Sequence, residues 1–393
     1  MGKAASGAGT IRQRRKDLWE ARYYTGQFDK DGKPERKSIY GKSQAEVRKK
    51  LTEITSQLDK GLYVEPNKTT VEEWLAEWIE NFIVDKRADT TVVQYRSNIK
   101  NNIVPFIGKK PIQSVKAADV QRVLNKASKK GLSAKTVKNI SGIMHESFSK
   151  AVFFGLLQSN PCIGVELPKA KEFVIKPLDL SEMIAFEELL PSDSYGNLFG
   201  FLMFSGLRES EALGLTWDCV DFENRLITVN KQLSKDFRQE TGNRFYIKDG
   251  TKTESGCRTF EPQPEAFEYL KRERQKQREA RLKFGSWHVP EGFPPDLVFT
   301  NPEGRYLLPN TVIAHFKELA KQLGRPELRV HDLRHTYVTL LLAATNDYKT
   351  VSESVGHSTP QFTMQRYQHV TREMQSRCAE VASEYYLKAK NQA

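Results

Sequence analysis

Apolar and polar positions alternate along the first 60 residues and then change period. Leu18-Trp19-Glu20-Ala21-Arg22-Tyr23-Tyr24 repeats every second residue, which predicts a half-buried strand. Residues 10–14 and 36–40 predict a strand on either side, with turn residues over 28–33. Ser43 followed by Glu46 has the spacing of a capping box, and Ala45, Val47, Leu51, Ile54 and Leu58 recur at helical spacing behind it. A unit this small has a marginal core. Basic strands on it suit entry into a DNA groove better than catalysis.

From residue 69 the period lengthens to that of helices. Gly61 to Lys68, with Pro66 and Asn67, reads as a linker. Trp74, Leu75, Trp78, Ile79 and Phe82 make the stripe of a first helix. Residues 90–103 predict a second, 117–127 a third introduced by Ser114, and 133–154 a fourth. The fourth carries Val137, Ile140, Met144 and Phe148 on one face and Lys135 and Lys138 on its polar side. A second linker spans 169–177. Beyond it the pattern mixes helices with short strands. Helices are expected over 181–190, 198–204 and 264–283, and strands over 225–229 and 296–300. Residues 245–247 and 258–260 read as two arms of a hairpin. Residues 378–388 carry an apolar helical stripe.

Charge sharpens this division. Residues 1–67 carry a net +6, residues 68–172 a net +7 and residues 173–393 a net −1. Nucleic acid is the natural polyanionic partner; a chain kept soluble by lysine has the same arithmetic. The four cysteines are far apart and show no metal or redox spacing. No stretch approaches the roughly 18 apolar residues of a membrane span, and residues 1–16 lack the apolar stretch of a secretory signal. Gly2 and Ser6 fit a short myristoylation pattern without a second anchor.

Four short segments of the last region present side chains suited to phosphate or proton chemistry. In SGLRESEAL a helix breaks at Gly206 and Arg208 is followed by Glu211, one turn on. Lys252 sits in the turn sequence GTKTESGCR. In HDLRHT, His331, Arg334 and His335 share a helix face. Two histidines at i and i+4 also suit zinc, but the arginine between them and the missing HExxH glutamate favour phosphate. Val355-Gly356-His357-Ser358 is followed ten residues later by Tyr367. Each segment alone fits a surface ion pair, a solvated lysine or a packed ring.

Taken in this order, SGLRESEALGL, KTESGCR, VHDLRHT, VGHS and TMQRYQHV resemble the boxes of the tyrosine recombinase (lambda-type integrase) family, and the resemblance spans the chain. The nearest subgroup is integrases of prophages and conjugative transposons of Gram-positive bacteria. Val355 stands where the family more often has leucine.

The resemblance implies a multidomain protein. Residues 1–62 would be a small β-sheet-plus-helix domain for arm-type DNA sites. Residues 68–168 would be an all-α, SAM-like core-binding domain, and 175–393 a mixed α+β, mostly α, catalytic domain. It implies Tyr367 as nucleophile, chosen over Tyr337, Tyr348, Tyr385 and Tyr386 by its spacing after the GH box. Arg208 and Arg334 would hold the phosphate, with His331 as general base or relay, His357 as phosphate donor and Lys252 as general acid. Arg12, Arg14, Arg22, Arg36, Lys37, Lys135 and Lys138 are the expected DNA contacts. The implied partners are double-stranded DNA at core and arm sites, a homotetramer, an excision directionality factor and a host DNA-bending protein, in the bacterial cytoplasm at the nucleoid. No metal or cofactor is required. A type IB topoisomerase, a non-catalytic regulator and a chromosome-dimer resolvase are the rival readings. The complete catalytic set speaks against the regulator, and residues 8–60 against the other two.

Overall fold

The computed structural model describes residues 9–28, 30–60, 63–169, 176–236, 245–250, 256–285, 287–345, 347–357 and 359–367. The chain divides into two compact units, Met1–Glu172 and Phe173–Ala393. Among the described residues no helix is long and apolar enough to cross a membrane.

The first unit opens with an antiparallel sheet of β1 (Thr10–Arg15), β2 (Leu18–Phe28) and β3 (Pro34–Gly41), in that order. Alternation gives it two faces. Ala21 and Tyr23 are buried, with Ile11, Trp19 and Ile39 packed beside them, against Val47 and Leu51 of α1 (Gln44–Asp59). Ser43 caps α1 by accepting from the Glu46 N–H. The Glu46 carboxylate accepts from the Lys42 N–H instead of Ser43, so only half of the expected capping box closes.

Four helical segments follow as expected: α2 (Val71–Phe82), α3 (Asp89–Asn98) continued by α4 (Val104–Ile107), α5 (Ala117–Lys129) and α6 (Ala134–Phe153). Their stripes meet in one core around Trp74, Trp78, Leu124, Met144 and Phe148. The join between α3 and α4 is a wide π-turn over Ile99–Ile103. Pro105 has no N–H for the carbonyl of Asn101, and the Lys130 ammonium donates to that carbonyl at 3.1 Å. The third helix starts at Ala117 as expected, but its N-cap is Lys116 rather than Ser114, and Asp119 accepts from the Lys116 N–H.

The second unit holds α7 (Leu180–Leu189), α8 (Gly196–Ser205), α9 (Glu209–Leu213), strands β4 (Val220–Asp221), β5 (Leu226–Val229), β6 (Lys231–Lys235), β7 (Phe245–Asp249) and β8 (Arg258–Phe260), then α10 (Pro264–Phe284), α11 (Pro309–Gln322), α12 (Val330–Thr345), α13 (Tyr348–Val355) and α14 (Pro360–Arg366). Helix α8 is buried at every position except Asn197. A Cβ on its Gly200 would lie 2.3 Å from the Tyr269 ring of α10, so glycine is what lets these two helices approach.

Two expectations are corrected here. Residues 245–247 and 258–260 are not arms of one hairpin. Strand β7 pairs with β6, placing Leu233 opposite Ile247, whereas β8 joins β4 and β5, placing Phe260 opposite Ile227. The polar sequence Lys231-Gln232-Leu233-Ser234-Lys235 hides its period, and only burial of Leu233 reveals the strand. Residues 296–300 form isolated bridges at Leu297 and Thr300 rather than a strand.

Candidate active site

Helix α8 ends at Gly206, whose φ of +64° is left-handed and over which the Tyr337 ring lies close enough to exclude a Cβ. The chain turns there and delivers Arg208 to the start of α9. The Arg208 backbone N–H donates to Glu211 Oε2 at 3.1 Å, and its guanidinium Nη1 donates to Glu211 Oε1 at 2.5 Å. Glu211 is 1% exposed, so this is a buried strut and not the surface pair its spacing alone allowed. Burial would raise the Glu211 carboxyl pKa, but Arg258 and Arg208 outweigh it and hold the group below its ordinary range.

A second organising feature is the C-terminal end of α13. Three successive carbonyls each accept from a different arginine: Ser354 from Arg258 Nε at 2.7 Å, Val355 from Arg334 Nη2 at 2.6 Å and Gly356 from Arg208 Nη2 at 3.0 Å. Helix ends leave such carbonyls unpaired and carry partial negative charge, which suits guanidinium groups. Arg334 is buried on α12 and also donates to the Gly206 carbonyl at 2.8 Å. Burial, and then the charge of Arg208, pull its pKa below the ordinary arginine value; a guanidinium still keeps its proton.

Two of the histidines around these arginines are held neutral at neutral pH. His331 keeps an open edge, yet desolvation by the surrounding protein and the charge of Arg334 bring its pKa down to about 4. His357 shares a hydrogen bond between Nδ1 and Thr363 Oγ1 at 2.7 Å, and burial with Arg334 and Arg208 brings its pKa down to about 3. Tyr367 follows α14, is fully buried, and shares a hydrogen bond of 2.5 Å between its hydroxyl and His335 Nδ1. The rings of His335 and His331 lie perpendicular, 4.8 Å apart.

The structure therefore brings Arg208, His331, Arg334, His357 and Tyr367 into one cluster. Lys252 and the 378–388 segment, with Tyr385 and Tyr386, lie outside the described residues. Tyr337 packs in the core, where burial pushes its pKa up to about 12. Sequence alone gives neither Arg258 nor His335 a role in the site. Arg258 stands six residues after Lys252 with no helical or strand register to link it to Glu211, and His335 shares the face of His331 and Arg334 without a partner to assign it.

In the first unit, the outer face of the sheet presents Arg12, Arg14, Arg22 and Arg36, with Tyr24 and Tyr40 exposed among them. Arg12 and Arg14 each reach Glu20 Oε2 at 2.6 Å, and Arg22 reaches Oε1 at 3.2 Å. Ser38 also donates to this carboxylate, which is 1% exposed and held well below the usual carboxylate range by Arg12 and Arg14. Arg36 lies over the Tyr24 ring, 4.6 Å from its centroid. Lys37 departs from the expected set. It stands opposite Tyr23 on the inner face and is paired with Glu35 and Glu65. Lys135 and Lys138 are exposed on α6.

Two guanidinium groups, two histidines held neutral and a tyrosine gather around one helix end, a set of groups suited to phosphate binding and proton transfer. The chain matches the phage integrase family over residues 179–374 and the N-terminal SAM-like domain of phage integrases over residues 70–128. It is 31% identical over 373 residues to a XerC-like tyrosine recombinase of Caldanaerobacter subterraneus, covering 91% of this chain and 94% of the relative. It is 25% identical to the transposase of transposon Tn916 from Enterococcus faecalis, covering 83% and 80%. The Tn1549 transposon integrase, solved with transposon right-end DNA, superposes with a TM-score of 0.67 at 24% identity, covering 79% and 99%. A lambda integrase tetramer bound to a Holliday junction gives 0.56 at 16%, covering 90% and 96%. The chain belongs to the phage integrase family of tyrosine recombinases. It is a site-specific DNA breaking–rejoining enzyme with a tyrosine nucleophile, of the kind that integrates and excises mobile elements.

Proposed function

We propose that this integrase cuts each strand by attack of the Tyr367 oxygen on a scissile phosphorus. The bond to the 5′-oxygen breaks, a 3′-phosphotyrosyl link forms, and the energy of the phosphodiester is kept for religation. A tyrosine hydroxyl has a pKa of about 10, so its proton must leave to a base as it attacks. His331 is the assigned base or relay; in the resting protein the hydroxyl faces His335, 2.5 Å away, so deprotonation runs through this histidine pair. Arg208 and Arg334 bind the non-bridging oxygens and stabilise their added charge, and neutral His357 donates to the phosphate from Nε2–H, in the tautomer whose Nδ1 accepts from Thr363 Oγ1. Lys252 protonates the departing 5′-oxygen.

The incoming 5′-hydroxyl of a second duplex reverses the reaction, and two such exchanges pass through a Holliday junction in a tetramer. The outer sheet face of residues 1–62 reads arm sites, residues 68–168 and 175–393 hold the core site, and a directionality factor and a DNA-bending protein set the outcome. The setting is the bacterial nucleoid. The observation that carries this reading is the convergence of Arg208, Arg334 and His357 on the end of α13, beside the Tyr367–His335 pair.

The test is a plasmid carrying the joined ends of the encoding element, mixed with protein and quenched in detergent. A covalent adduct that disappears in Tyr367→Phe supports the assignment. An adduct that persists in this variant overturns it and moves the nucleophile to Tyr385 or Tyr386.

A further inference from the structure

Three guanidinium groups surround the end of α13; Arg334 is buried between the Gly206 and Val355 carbonyls, and the other two differ in how far they are committed to the protein. The Arg208 side chain is 36% exposed and can turn a donor to a phosphate. The Arg258 side chain is 7% exposed, and each of its three nitrogens already donates within the protein. Nε serves the Ser354 carbonyl at 2.7 Å, Nη1 the Gly256 carbonyl at 3.0 Å and Nη2 the Glu211 carboxylate at 3.1 Å. These partners lie on α13, on the segment leading into β8, and on α9. Its planar fork can span them only in one orientation, which a lysine cannot reproduce.

Glu211 is the joint. Its Oε1 accepts from Arg208, whereas Oε2 accepts from the Arg208 backbone and from Arg258. Without Arg258, Oε2 keeps a single backbone donor, and a buried carboxylate so depleted turns toward its remaining cation. Arg208 would then be drawn from the Gly356 carbonyl and from the place where the phosphate binds. The Ser354 carbonyl would also lose its donor, two residues before Gly356 and three before His357.

We propose that Arg258 is a positioning residue for DNA cleavage, locking the Arg208–Glu211 pair to the carbonyl end of α13 without touching DNA. The proposal rests on the phosphate-binding role given to Arg208 above. It differs from a general stabilising role in what it couples. Glu211 faces Arg208 and Arg258 directly and feels Arg334 beyond them. Removing Arg258 weakens the field that keeps Glu211 ionised, so protonation of Glu211, and release of Arg208, occur at a higher pH.

The experiment uses the full chain and DNA carrying the joined element ends, with Arg258→Gln, Arg258→Lys, Glu211→Gln and the Arg258→Gln/Glu211→Gln pair. Thermal unfolding monitors folding, a gel shift gives affinity, and detergent-quenched single turnover at saturating DNA gives the adduct rate from pH 5 to 8. Arg258→Gln is expected to bind DNA within about threefold of the unaltered protein. It should form adduct about 10- to 100-fold more slowly and lose rate on the acid side at a higher pH. Arg258→Lys should regain part of the rate and restore the acid side, because its ammonium still faces Glu211. The double variant should be no slower than the slower single variant. Additive losses, an unmoved acid side, or a rate that follows only the folded fraction would overturn the proposal. If Arg258→Gln does not fold, Arg258→Lys decides alone: a rate equal to that of the unaltered protein overturns the proposal, and a slower rate at unchanged affinity supports it. Absence of adduct from the unaltered protein, with binding intact, overturns the underlying reading of Arg208 and Tyr367 and the proposal with it.

Discussion

Arg334 gives one nitrogen to the Gly206 carbonyl and another to the Val355 carbonyl, and so joins the two segments that flank the site. At the level of single residues this cluster is tuned by burial and charge. Desolvation first, and then the positive centre, keep His331 and His357 neutral at neutral pH, with pKa values brought down to about 4 and about 3. The consequence for stability has a definite sign. A free histidine has a pKa of about 6.5, so below that value the unfolded chain takes up protons that the folded chain refuses. Stability is therefore fully present above about pH 6.5 and falls as the pH drops toward 4. Glu209, whose carboxyl burial raises to about 7, acts in the opposite sense over the same range, so the comparison must be made between proteins. His357→Gln should lose less of its melting temperature between pH 6.5 and 5 than the unaltered chain does. Equal losses would show that His357 is not held neutral.

Among elements, the N-terminal sheet and the end of α13 use one device in two forms: a negative group buried under arginines. In the sheet it is the Glu20 carboxylate beneath Arg12, Arg14 and Arg22. It sets the spacing of these side chains before any partner arrives, which lowers the entropy lost on binding. Glu20→Gln removes the attraction while adding a positive net charge. Affinity for DNA from the element's ends should fall about tenfold, in line with the removal of one well-placed hydrogen bond to a base, while affinity for scrambled duplex stays level or rises. A parallel loss on both DNAs in gel-shift titrations would mean that the sheet had simply been destabilised. This face also shows why strand register matters: Lys37 is one residue from Arg36, and the pleat places it on the inner side.

For the whole molecule, the positive excess lies in residues 1–172 and the proposed active-site cluster in residues 173–393, which are together near neutral. Affinity and chemistry should therefore separate experimentally. Replacing Lys135 and Lys138 by alanine should weaken binding to all duplexes alike and lower the salt dependence of the binding constant, by up to about 0.9 in log–log slope for each phosphate that is no longer neutralised. The adduct rate at saturating DNA should not change. A slower rate at saturation would place these lysines in the cleavage step.

Local sequence determined the periods of β1 to β3 and of the main helices, the half-cap at Ser43, the break at Gly206 and the residue types of the family boxes. Each is decided within a few consecutive residues, by backbone sterics, side-chain period or short-range hydrogen bonding. Tertiary structure decided the rest. Whether Lys231–Lys235 is a strand, and which partner β7 or β8 takes, depends on burying Leu233 and Phe260 against residues distant in the chain. The same holds inside the site. Glu211 meets Arg258 across 47 positions, Arg258 meets Ser354 across 96, and His335 meets Tyr367 across 32. No local period relates such pairs. They come together because the burial of α8 and the close passage at Gly206 and Gly200 bring α12 and α10 against it, and a buried charge must find its partner wherever the fold provides one.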